Sequence, residues 1–228
     1  MKVLNTNDIT PTKINALIQA PSGNGKTYLA RTLPPKTIIV NLDEGLLSLR
    51  GSGIDYVNID RNNPYKSMQS ILMEISKSDY DNVYIDSLTE VGEDLLNEAK
   101  KDFPDARQTM PRYGKQREMF ISFIKFTRSM DKNVFYTVLE KVDKNDIGQK
   151  VYLPSLVGSI RDEIASYFDF VFALRISESD EGVKRRVLQT DSRDGYLCKD
   201  RSGKLNEFEV ADLGLVINKV FNKDEKDV

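Results

Sequence analysis

The sequence predicts an α/β fold: a mainly parallel central sheet with helices on both faces, and antiparallel strands added at the C-terminal edge. Three observations carry this. Apolar, β-branched runs alternate with stretches of helical periodicity through the first two thirds of the chain. A glycine-bearing stretch, Ala20-Pro21-Ser22-Gly23-Asn24-Gly25-Lys26-Thr27, joins an apolar run to a helix-like run. The last third changes character and reads as hairpin strands.

The elements follow in order, within one domain. Residues 1–12 are a polar lead-in, residues 13–205 the core, and residues 206–228 a C-terminal helix and charged tail. Lys13 to Gln19 reads as the first strand. The helix after the glycine-bearing loop is expected to run from Thr27 to Leu33, because Pro34-Pro35 cannot continue it. Thr37 to Leu42 is a buried strand closed by Asp43-Glu44-Gly45, and Ile54 to Ile59 is a further strand. Pro64 to Lys77 carries Met68, Ile71, Leu72 and Ile75 at helical spacing. Asn82 to Asp86 is a short apolar strand ending in a carboxylate, followed by a helix over Leu88 to Lys101. Residues 102–112 read as an irregular loop, and Tyr113 to Met130 as a helix. Asn133 to Leu139 is a buried strand, and Glu140 to Gly148 a polar, flexible segment. Ser155 to Phe168 reads as helical, residues 170–176 and 183–190 as a hairpin, residues 195–198 as a short strand, and Glu209 to Phe221 as the last helix.

Composition narrows the chemistry. The 228 residues are 39% hydrophobic and 30% charged, values that fit a globular protein with a real core. A net charge of −2 gives no bulk argument for nucleic acid, so any such surface must be a local patch. No apolar run approaches membrane-spanning length, and the N-terminus lacks the apolar core of a signal peptide. One cysteine, Cys198, leaves no internal disulfide and fits a reducing cytoplasm. The chain has no histidine, which excludes a Ser-His-Asp triad, a histidine base and any histidine zinc site. Carboxylates, Lys, Arg, backbone amides and a bound metal remain, and phosphoryl transfer needs only those.

The stretch Ala20 to Thr27 fits G-x-x-x-x-G-K-[ST] except that Ala20 stands where the first glycine is usual. Successive backbone N–H groups in such a loop cradle phosphate, and glycine allows the close approach. Pro21, Ser22, Gly23, Asn24, Gly25, Lys26, Thr27 and Tyr28 are therefore candidate nucleotide-binding residues, with ATP and Mg²⁺ as cofactors. Lys26 would reach the β- and γ-phosphates, and the Thr27 hydroxyl would ligate Mg²⁺. Asp86 ends a buried strand 60 residues after Lys26, where a Walker B carboxylate holding Mg²⁺ belongs. Ser87 follows it instead of Glu, which argues against AAA+-type proteins. The nearest strand-end carboxylates are Asp43 and Glu44, and either could orient an attacking water. Glu140 with Lys141 ends the next strand, expected beside Asp86, and would fill the place where RecA-like proteins, which the chain resembles on the stretches below, keep a polar sensor of the γ-phosphate.

Six stretches together resemble the phage RecA-like ATP-binding proteins, the group that includes the fourth Sak class of single-strand annealing proteins. They are residues 19–27, 41–45 and 83–87, Glu140-Lys141, Tyr167-Phe168-Asp169 and Lys199-Asp200-Arg201-Ser202-Gly203, spanning about residues 14–205. The chain has Leu139-Glu140 where members of that group often carry His-Glu. The resemblance implies a RecA-like core acting on DNA in recombination in the host cytoplasm, with ATP at the interface of a homo-oligomeric ring or filament. Arg201, then Lys199, are the implied residues acting on a neighbour's nucleotide. Single-stranded DNA is the implied partner, with a single-stranded DNA-binding protein beside it and no membrane. DNA would meet two loops: Lys100, Lys101, Arg107, Arg112, Tyr113 and Lys115 in the first, and Lys141, Lys144 and Lys150 in the second. A P-loop kinase of a small substrate and a slowly hydrolysing nucleotide-gated replication or packaging accessory are the other readings. The kinase lacks a lid-like arginine segment, since Arg185-Arg186 falls on a hairpin strand.

Overall fold

The computed structural model describes residues 5, 12–105, 107–178 and 182–221. Most of the expected lead-in, the hairpin tip and the charged tail lie outside them. Among the described residues the sheet has ten strands. Those expected from apolar runs are β1 (Asn15–Ala20), β2 (Thr37–Asn41), β3 (Asp55–Asn58), β4 (Asn82–Asp86), β5 (Asn133–Lys144), β7 (Phe170–Glu178) and β8 (Lys184–Gln189). Three among the described residues were not expected: β6 (Lys150–Pro154), β9 (Lys199–Asp200) and β10 (Phe208–Val210). The spatial order is β10-β8-β7-β1-β5-β4-β2-β3, with β6 on β5 and β9 on β7. From β3 to β7 every pairing is parallel, while β8, β10, β6 and β9 pair antiparallel. This is a mixed α/β architecture, a mostly parallel central sheet with antiparallel strands at the edge.

Alternation along the strands divides the core into two layers. Leu17, Val83, Ile85, Val134, Tyr136 and Val138 face α2 (Pro64–Lys77), α3 (Leu88–Asp102) and α4 (Thr109–Ser129). Ala16, Ile18, Ala20, Tyr84 and Phe135 face the opposite layer, under α1 (Lys26–Leu29) and α6 (Leu213–Phe221). The helix α2 buries Met68, Leu72 and Ile75, the spacing read from sequence, and each contributes about 2 kcal/mol. Pro111 lies in the first turn of α4, where its missing N–H costs no helical bond.

Several expectations are corrected. The helix after the loop is only four residues, Lys26–Leu29, followed by a 3-10 turn over Ala30–Thr32. Residues 140–144 are not a flexible segment but the continuation of β5, which turns through residues 145–149 into β6. Within residues 155–168 only Ile160–Glu163 is α-helical, as α5, and Ile164–Tyr167 is 3-10. The stretch 195–198 expected as a short strand holds only an isolated bridge, Tyr196 to Tyr152, and β9 begins after it at Lys199. The last helix begins at Leu213, because residues 208–210 pair with β8 instead.

Candidate nucleotide site

The parallel strands β1, β4 and β2 end on one edge of the sheet, and β5 is inserted between β1 and β4. The loop after β1 turns through Gly23 at φ 81° and Gly25 at φ 94°, conformations that disfavour any side chain. Lys26 opens α1 and is buried, and its Nζ donates to the carbonyls of Ala20 and Pro21, both at 2.9 Å. Burial lowers its pKa, while Asp86, Asp43 and Glu140 pull it back up. The Lys26 carbonyl is held from below by the Tyr84 hydroxyl at 2.5 Å.

Tyr84 and Asp86 are two residues apart on β4, so both point into the layer of α1. Asp86 is 1% exposed, and its Oδ2 accepts from Thr27 Oγ1 at 2.6 Å. Its Oδ1 accepts from the buried Thr137 on β5. Its backbone carbonyl accepts the N–H groups of Leu42 at 2.7 Å and Asp43 at 3.1 Å. Asp86 does not cap α3, which has no side-chain cap bond. The sequence reading missed Thr137 and Tyr84. The signal for Thr137 was present: a lone hydroxyl in an apolar buried strand needs a partner. The register places Glu140 one residue past Leu139, which aligns with Ala20 at the end of β1, and β5 lies beside β4 as expected. Burial raises the pKa of Glu140, opposed by Lys26 and Arg175.

Asp43 and Glu44 part company. Desolvation and the Asp86 charge raise the pKa of Asp43, against the pull of Lys26 and Arg61. Glu44 has φ 55°, and its carboxylate turns away to Arg61 Nε at 3.2 Å. Arg61 also donates to the Leu42 carbonyl and lies 3.6 Å from Asp94 on α3, so it clamps the turn that presents Asp43. The structure therefore brings together Lys26, Thr27, Asp86, Asp43 and Glu140, and leaves Glu44 outside.

Other predicted residues lie away from this group. Arg201 pairs with Asp169 at 2.7 Å, and Lys199 donates to the Ala165 carbonyl at 2.7 Å. Burial, reinforced by the Arg201 charge, lowers the pKa of Lys199. Strand β9 pairs with Phe170 and Val171 at the start of β7, the end of the sheet opposite the chain's own phosphate loop. In the first predicted DNA loop every basic residue has an internal partner. Lys100 bonds Asn97, Lys101 bonds Glu98, Arg107 bonds Asp105, Arg112 bonds the Phe103 and Pro104 carbonyls, and Lys115 lies 3.7 Å from Asp102. Tyr113 packs near Gly158. Lys141, Lys144 and Lys150 are exposed on the β5–β6 hairpin.

A family model described as an AAA domain matches residues 12–202, which covers the sheet from β1 to β9 and the whole carboxylate group. The chain belongs to this AAA domain family. It is thus a P-loop protein of a nucleotide-binding ATPase family. No curated protein matches it. Membership overturns the separation from AAA-type proteins drawn from Ser87. Ser87 is buried at the start of α3, and the acidic groups beside Asp86 come instead from the ends of β2 and β5.

The residues fit nucleotide and Mg²⁺. At Gly23, at positive φ, the loop wall is open, and a Cβ there would meet nothing within 4 Å. Thr27 Oγ1 and Asp86 Oδ2 form an all-oxygen pair suited to a hard cation. Among the described residues no cluster of three or more His, Cys, Asp or Glu that could hold a metal ion is found. No helix among them is long and apolar enough to cross a membrane.

Proposed function

We propose that this AAA-domain protein hydrolyses ATP and acts in phage recombination, binding single-stranded DNA and promoting annealing or strand pairing as an oligomer. The observation that carries the ATPase reading is the contact of Thr27 with Asp86 at 2.6 Å, with Asp43 at the end of the neighbouring strand. Lys26 binds the β- and γ-phosphates. Thr27 and Asp86 hold Mg²⁺, which when bound neutralises phosphate charge. Asp43 accepts a hydrogen bond from the attacking water and orients it, while Glu140 senses the γ-phosphate side of the site. Arg201 and Lys199, remote from their own loop, serve the nucleotide of a neighbouring subunit, in a ring or filament.

The DNA reading rests on the RecA-like resemblance and on the β5–β6 hairpin, where Lys141, Lys144 and Lys150 stand with Val142 and Ile147, 53% and 77% exposed. Lysines track a phosphate backbone. The internal pairing of the 100–115 cations favours a second reading, a nucleotide-gated replication or packaging module with slow turnover. ATP hydrolysis with and without a single-stranded oligonucleotide separates the two. The recombination reading expects stimulated turnover, and oligonucleotide binding that weakens steeply with salt. Unstimulated turnover with no oligonucleotide binding at low salt refutes it and supports the second.

A further inference from the structure

The arginine dismissed on sequence as a hairpin-strand residue reaches the phosphate loop. Arg186 sits on β8 opposite Ile176 of β7, and its own carbonyl accepts the Ala211 N–H at 3.3 Å, so its backbone is fixed from both sides. Its side chain crosses to the loop, where Nε donates to the Asn24 carbonyl at 2.8 Å. The Asn24 side chain makes the reciprocal contact, with Nδ2 donating to the Leu174 carbonyl of β7 at 3.3 Å. One residue on, a Cβ at Gly25 would stand 2.7 Å from Arg186 Nε. Gly25 is therefore needed for the arginine's approach as well as for its own φ of 94°. The guanidinium also lies 5.8 Å from the ring of Tyr28, the first exposed residue after Thr27.

We propose that Arg186 is a positioning residue for the phosphate loop, and that the β7–β8 hairpin clips the loop at Asn24 so that nucleotide affinity depends on the hairpin. The physical reason is preorganisation. A loop with two positive-φ glycines has many conformations in the free protein, and a bound nucleotide selects one of them. A charged donor on the Asn24 carbonyl, with Asn24 tied to β7, holds the backbone N–H groups of Gly23 to Lys26 in one arrangement beforehand. Arg186 is itself exposed on the surface, so its removal leaves the core intact.

The inference rests on the reading of Ala20 to Thr27 as the nucleotide site, and the test separates the two. The affinity of a fluorescent ATP analogue, KM, kcat and melting temperature are measured for wild type, Arg186→Ala, Arg186→Lys and Lys26→Ala. The expected result is a roughly tenfold weaker Kd and higher KM for Arg186→Ala, with kcat and melting temperature near wild type. Arg186→Lys, which keeps a charged donor within reach of one carbonyl, recovers most of the loss. A Kd for Arg186→Ala within about twofold of wild type, or a loss that Arg186→Lys does not recover at all, overturns the clip. If Lys26→Ala also binds as wild type does, the site reading itself fails; if only Lys26→Ala loses affinity, the clip alone fails.

Discussion

Replacing Tyr84 by Phe removes one oxygen from beneath the phosphate loop and tests how the sheet holds that loop. The Tyr84 ring is fully buried, and its hydroxyl donates to the Lys26 carbonyl at 2.5 Å. The helix ends after one turn, and the Ala30 N–H goes to the Thr27 and Tyr28 carbonyls. Burial, with the Asp86 charge added, holds the Tyr84 phenol well above its ordinary pKa, so it stays a donor throughout the working pH range. The variant leaves a buried acceptor unpaired, which costs about 1–3 kcal/mol. For a chain of this size that lowers the melting temperature by roughly 2–12 °C. Because the lost bond ends on Lys26, nucleotide affinity falls as well. Thermal melts followed by circular dichroism, with and without ATP and Mg²⁺, read both effects. A variant that melts with wild type and binds nucleotide equally well refutes the claim that β4 supports the loop through Tyr84.

Other expected outcomes concern the carboxylates, the interface and the cysteine. Asp43→Asn should remove ATP turnover while Glu44→Gln keeps most of it; the reverse order in a steady-state hydrolysis assay contradicts the placement of Glu44 against Arg61. Mixing Arg201→Ala with Lys26→Ala protein should restore part of the activity lost by each, as read in the same assay. No recovery from proteins that still assemble counts against a shared site. Burial raises the Cys198 thiol to about 12, so native protein should resist iodoacetamide at pH 8 while unfolded protein reacts quickly. The sign follows from the raised value. Stability from keeping this thiol neutral is fully present below the ordinary cysteine range and is lost as pH rises toward about 12, which melts at pH 8 and pH 10 would register.

The parts of the fold legible in the sequence are those buried on both sides. β1, β2 and β4 read as strands because apolar residues are continuous where helices cover both faces. The end of β5 was hidden because it leaves the sheet and runs into solvent with β6, so no hydrophobic period marks residues 140–144. The short helix α1 was overestimated for a different reason. Its sequence is good helix, but the Thr32 hydroxyl bonds back to the Leu29 carbonyl and also accepts the N–H of Leu213, ending the turn against α6. At the site, Lys26, Thr27 and Asp86 were legible from one motif and one strand end. That Asp43 faces the group while Glu44 turns away to Arg61 was not, because it depends on Arg61 arriving from the far side of β3. Arg186 was invisible for the same reason: the contact spans 162 positions in the chain.

ATP hydrolysis by Lys26→Ala protein, measured beside wild type at matched concentration and with melting curves for both, tests the assignment of this site most directly. Lys26 is the cation that the loop, Asp86, Asp43 and Glu140 all surround. Wild type should turn over ATP only with Mg²⁺, and Lys26→Ala should fall to background while still folding. Turnover by Lys26→Ala at the wild-type rate would place the chemistry elsewhere and contradict the reading of Ala20 to Thr27 as the phosphate site.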